Sequence, residues 1–125
     1  MGMIYVAAGG ACGAVCRYLL GNFIGSRLGG AWPWGTWTIN ILGSFCMGLL
    51  MVLIVEKQLL PAEARLFLCV GLLGGFTTFS SFSYELLQLF LKGGYVEALL
   101  YGGTSVVLGL GAAALGAFLG QGAIK

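Results

Sequence analysis

Histidine and aspartate are absent from the 125 residues, and the charged set is confined to six Lys or Arg and four Glu. There is no imidazole base, no close pair of carboxylates and no base partner for any serine, so the chain lacks the parts from which acid–base or nucleophilic catalysis is assembled. No enzyme is expected on these grounds. Metal chemistry is as poorly supplied. Cys12 and Cys16 lie one helical turn apart and Cys46 and Cys69 fall in other segments, so they read as reduced, buried, small apolar residues. A net charge of +2 provides no basic surface, and no nucleic-acid partner is expected. The glycine clusters at Gly9–Gly13 and Gly71–Gly75 follow no strand and precede no Gly-Lys-Ser/Thr, which removes a phosphate loop.

Apolar residues fill the space that charges leave. Mean hydropathy is +1.00, and four stretches, roughly 3–25, 36–56, 65–91 and 95–121, each approach or exceed the about 20 residues that span a bilayer core of about 30 Å. The reading is an all-α integral membrane protein, one four-helix domain over residues 1–125, with the lipid bilayer as solvent. The first stretch has no basic leader and carries Arg17 in its interior, so it is read as a retained helix and not as a signal peptide. Trp32, Trp34 and Trp37 suit a headgroup-level belt at the start of the second span. Lys57, Arg65 and Lys125 fall on one side of the membrane, and Arg27 and Lys92 on the other. This near-balance fits a chain that inserts in both orientations and pairs as an antiparallel homodimer; in so short a chain it also fits chance.

Small residues recur four apart at Gly9/Gly13, Gly21/Gly25, Ser44/Gly48 and Gly116/Gly120, a spacing that lets membrane helices approach closely. More costly is the run Gly71–Glu85, which places five Ser or Thr hydroxyls and three phenylalanines in a membrane span. Hydroxyls and freed carbonyls persist there only against protein or along a polar path. A two-glycine step followed by hydroxyls predicts that the third helix is broken, unwound over Gly74–Thr78, with carbonyls able to hold a small monovalent cation between two copies. Asn40, Ser80, Ser81, Tyr101 and Ser105 each offer a neutral donor to an anion. Phe76, Phe79 and Phe82 recur every third residue on about one helical face, where ring edges present positive potential. Core filling by the rings and an interhelical bond from Asn40 account for the same spacing.

Three blocks carry a closer likeness. They are Gly9-Gly10-x-x-Gly13-Ala14-x-x-Arg17-Tyr18, Gly35-Thr36-x-x-x-Asn40-x-x-Gly43-x-Phe45-x-x-Gly48, and Gly71-x-x-Gly74-Gly75-Phe76-Thr77-Thr78-Phe79-Ser80-Ser81-Phe82-Ser83-x-Glu85. With them the chain resembles the Fluc, or CrcB, family of bacterial fluoride channels, nearly from end to end. The resemblance implies an antiparallel, dual-topology homodimer in the bacterial inner membrane, two fluoride pores and a structural sodium ion at the centre. It also implies passive exit of fluoride that entered the cell as HF. Phe79 and Phe82 then correspond to ring edges along the pore, Asn40 to the amide beside them, and Ser80 and Ser81 to nearby hydroxyls. The carbonyls of Gly74 and Thr77 correspond to sodium ligands, and Arg17 to an arginine of vestibule or anchoring role. Tyr101 and Ser105 begin a polar track on the fourth span, but Gly109 and Ala113, next on that face, have no hydroxyl. The alternatives are a small multidrug exporter of dual topology, which needs a carboxylate in its first span that this chain lacks, and a structural membrane subunit.

Overall fold

The computed structural model of the chain describes residues 1–122; Lys125, counted above toward orientation, lies outside them. Helix α1 runs Gly2–Leu28 and stops at Gly29, whose φ of 52° is open to glycine at little cost and whose N–H closes onto the Gly25 carbonyl. Pro33 then leads into α2, Trp34–Met51, which continues as a wider π-helical turn over Val52–Glu56. The third span opens after Pro61 and is π-helical over Arg65–Leu73 and α-helical over Gly74–Phe76; residues 62–76 are called α3 below. Helix α4 is Phe79–Leu91 and closes at Gly93, where φ is 83°. Helix α5 is Tyr95–Gly122.

Four segments, Gly2–Leu28, Trp34–Glu56, Ala62–Leu91 and Tyr95–Gly122, are long and apolar enough to cross a membrane. They exceed the sequence-based bounds by a few residues at several ends. Their outer faces are greasy: Val106, Leu110 and Phe118 are among many large apolar side chains left uncovered. In a membrane such a surface needs no partner other than lipid.

Helices pair as α1 with α3 and α2 with α5, and in both pairs glycine sets the separation. A Cβ at Gly9 or Gly13 would strike the backbone of Phe67 or Leu72, and one at Gly48 or Gly116 would strike the carbonyl of Ala113 or Phe45. Backbones this close gain dispersion along their length, which replaces the hydrophobic drive that lipid removes. Gly25 does not take part, because nothing lies within 4 Å of its Cβ direction. One apolar cluster centres on Ile39, Leu73 and Phe76, and another on Leu89, Ala98 and Tyr101. At the far end of α2, Gln121 donates to the Glu56 carboxylate at 2.8 Å and Lys57 donates to the Gln121 carbonyl at 3.1 Å, tying the ends of α2 and α5. All four cysteines are free thiols; Cys69 is buried, but Cys12 and Cys16 lie on the outer face of α1, contrary to the expected burial. Their helix uses its glycine stripe for packing and turns the thiols away from it.

Candidate functional site

The site grows from two residues, Thr77 and Thr78. Thr77 (φ −84°, ψ 157°) and Thr78 (φ −150°, ψ 122°) are extended between the last turn of α3 and the first of α4. Every other residue from Ala62 to Leu91 is helical. The sequence placed unwinding from Gly74 onward, but Gly74–Phe76 stays helical because the N–H and the hydroxyl of Thr77 both donate to the Leu73 carbonyl, at 3.0 and 2.9 Å.

Side chains take over the hydrogen bonds that the helix gives up. The Thr78 N–H donates to Asn40 Oδ1 at 2.8 Å, and Asn40 Nδ2 donates back to the Thr78 carbonyl at 2.9 Å. Thr78 also caps α4, its hydroxyl accepting from the Ser81 N–H at 3.1 Å. An unbroken helix would send the Thr78 N–H to the Gly74 carbonyl and the Ser81 N–H to the Thr77 carbonyl. Both donors are diverted, and the two carbonyls are released from the ladder. The next carbonyl, that of Gly75, accepts from Arg17 Nε at 3.1 Å. Arg17 therefore bridges α1 to the end of α3.

Around this interruption the predicted residues separate. Phe79 is 80 % exposed at the first turn of α4, and its ring lies 5.9 Å from that of Phe82. Phe82 in turn packs on Tyr101 at 5.2 Å. Phe76 does not share their face. It is buried against Ile39 and Leu73, since two extended residues reset the helical phase between Phe76 and Phe79. Ser80 stands 3.4 Å from the Thr78 hydroxyl, and Ser81 reaches a cleft of about 530 Å³ lined also by Arg17, Thr36, Thr78 and Glu85. A second recess, about 350 Å³, is formed by Asn40, Ser44, Met47, Thr77, Thr78, Phe79 and Ala113.

On α5, Tyr101 is fully buried and its hydroxyl donates to Glu85 at 3.3 Å. One turn on, Ser105 has a buried Oγ with no hydrogen-bond partner among the described residues. A hydroxyl left in that state costs about 1–3 kcal/mol unless something meets it.

Residue spacing alone did not indicate three of these features. Gly43 must be small because a Cβ there would run into the Thr77 methyl, and its position three residues after Asn40 was the available signal. Glu85 pairs with Tyr101 across α4 and α5, a contact that a separation of sixteen positions conceals. Arg17 takes a backbone carbonyl as its partner, which no residue pattern reveals.

The profile of the family described as CrcB-like protein, Camphor Resistance (CrcB), matches residues 4–117. The chain belongs to the CrcB family. Individual CrcB relatives agree over nearly their whole length. A protein of Thermus thermophilus is 54% identical over 118 residues, covering 94% of this chain and 93% of its own. One of Magnetococcus marinus is 47% identical over 121 residues (97% and 98%), and one of Chloroflexus aurantiacus 45% over 119 (95% and 94%). Each of the three is named a fluoride-specific ion channel FluC. Asn40, Thr78 and Phe79 all fall within the matched CrcB segment.

Proposed function

We propose that the protein is a fluoride-selective channel of the bacterial inner membrane, not an enzyme, through which cytoplasmic fluoride leaves passively. Support comes first from near full-length similarity to proteins named fluoride-specific channels. The single observation that carries the reading into the structure is the interruption at Thr77–Thr78, held by Asn40 and flanked by the uncovered ring of Phe79. It puts neutral donors and a ring edge at membrane depth. Fluoride keeps its water more tightly than chloride does, so a narrow lining of close donors selects it by both field and size. Phe79 and Phe82 present ring edges, Asn40 the amide, and Ser80, Ser81, Tyr101 and Ser105 hydroxyls; the buried Ser105 Oγ has no other partner among the described residues. Arg17 anchors the end of α3 and borders the cleft that leads inward.

The assembly in this proposal is an antiparallel homodimer with two pores. It is supported by the near-balance of loop charges and by a Phe79 ring that its own chain leaves uncovered. A structural sodium ion, not transported, joins the two copies through the Gly74 and Thr77 carbonyls. Those two groups fit a hard cation, being the carbonyls whose helical donors are diverted to Asn40 and Thr78 side-chain oxygens. When bound, sodium supplies a central positive charge that fixes these carbonyls.

The test is release of fluoride from liposomes loaded with potassium fluoride. Valinomycin is added to carry the counter-current, and external fluoride is followed by a selective electrode beside a potassium chloride control. Fluoride release without chloride release supports the channel. No release from a verified dimer in sodium rejects it and returns the exporter reading, which growth on cationic dyes would then test.

A further inference from the structure

Helix α5 lacks a hydroxyl at Gly109 and Ala113, on the face that Tyr101 and Ser105 begin. Opposite that gap stands Ser44 of α2. Its Oγ lies 3.6 Å from the Cβ direction of Gly109, and Ser44 and Ala113 line the same recess as Asn40, Thr78 and Phe79. We infer that Ser44 is a fluoride-contacting, selectivity-determining residue of the pore: it supplies from α2 the donor that α5 lacks. This rests on the channel reading above.

The chemistry requires a proton that can be redirected. At rest the Ser44 hydroxyl donates to the Asn40 carbonyl at 2.7 Å, one turn back in its own helix. That carbonyl already accepts the helical bond of the N–H four residues on, so it loses no obligatory partner when the hydroxyl rotates. Rotation about χ1 swings the O–H into the recess, beside Asn40, whose amide keeps a second N–H beyond the one given to Thr78. An anion there meets two neutral donors from one face of α2, four residues apart. Gly109 leaves the space for this rotation, as its Cβ direction is only in ordinary contact with Ser44 Oγ.

The experiment uses the full-length protein in the liposome assay, with fluoride and chloride measured in parallel. Wild type is run first: without fluoride release from the wild-type dimer it is the channel reading that fails, not this inference. Given wild-type release, Ser44→Ala is expected to slow fluoride efflux about tenfold, the scale of one lost donor. Ser44→Thr, which keeps the hydroxyl, is expected to stay near wild type. The double variant Ser44→Ala/Gly109→Ser moves the hydroxyl across the recess to α5 and is expected to recover most of the loss, which a purely structural Ser44 would not permit. Wild-type efflux in Ser44→Ala overturns the inference, as does a slow Ser44→Ala that Gly109→Ser fails to rescue. If Ser44→Ala does not assemble, Ser44→Cys replaces it as the near-isosteric weak donor, and unchanged flux and fluoride-over-chloride selectivity in that variant overturn the inference equally.

Discussion

Replacing Asn40 by alanine removes two bonds at once, the 2.8 Å bond that satisfies the Thr78 N–H and the 2.9 Å bond that satisfies its carbonyl. The Thr78 N–H has no helical partner to fall back on, because Thr78 is extended; its carbonyl, at the N-cap of α4, keeps the first helical bond of that helix. Leaving a buried backbone group unpaired costs about 1–3 kcal/mol, whereas side-chain bonds between membrane helices average about 0.6 kcal/mol. Asn40 is only partly buried, so the pair together is assigned about 1–3 kcal/mol. In exchange terms that is about 5- to 150-fold. The Thr78 amide is therefore expected to exchange with deuterium about 5- to 150-fold faster in Asn40→Ala than in wild type, read residue by residue by NMR in micelles. Amides in the α1–α3 contact, such as that of Leu72, are expected to change far less. Asn40→Asp keeps an acceptor for the Thr78 N–H, so its exchange should rise less than in the alanine variant. Its anion flux should nevertheless fall further, since a carboxylate repels the ion. A Thr78 amide that exchanges at the wild-type rate in Asn40→Ala would refute the staple.

Phe79→Ile and Phe82→Ile should each abolish or sharply reduce fluoride efflux while gel filtration still shows the wild-type assembly; normal flux in both removes the ring-edge role. Gly13→Ala should strongly reduce the yield of folded protein, because a Cβ there meets the Leu72 carbonyl carbon at 2.9 Å with its oxygen nearer still, whereas Gly103→Ala, with nothing within 4 Å, should be neutral. Equal yields of the two would contradict the close α1–α3 contact. Sodium should raise the melting temperature in a saturable way relative to N-methylglucamine at equal ionic strength, and identical melting in both buffers would remove the cation from the Gly74 and Thr77 carbonyls.

Much of this is legible in the sequence. Four spans follow from hydropathy and length, and the cost of hydroxyls at membrane depth already pointed to the Gly71–Glu85 run. The glycine spacing pointed to close helix pairs, correctly at Gly9/Gly13 and Gly116/Gly120 and wrongly at Gly25, because a four-residue repeat does not say which face a neighbour occupies. Phe76 was misplaced for a related reason: periodicity assumes a continuous helix, and the extended Thr77–Thr78 changes the phase. Partners far apart in sequence, such as Arg17 with Gly75 or Tyr101 with Glu85, carry no local signal at all. Ser44 read as half of a packing pair until α5 was seen to bring Gly109 against it.

The exchange between Asn40 and Thr78 has the form of one rung of an antiparallel β-ladder, with the side-chain amide of asparagine standing in for the facing peptide unit. Extended backbone carries sticky edges that hydrocarbon does not tolerate and that invite strand pairing with other chains. Here the edge is one residue long and a single amide covers it on one side. The folded protein thereby keeps a piece of strand inside a helical membrane domain, its edge closed by one side chain of a neighbouring helix instead of by a second strand.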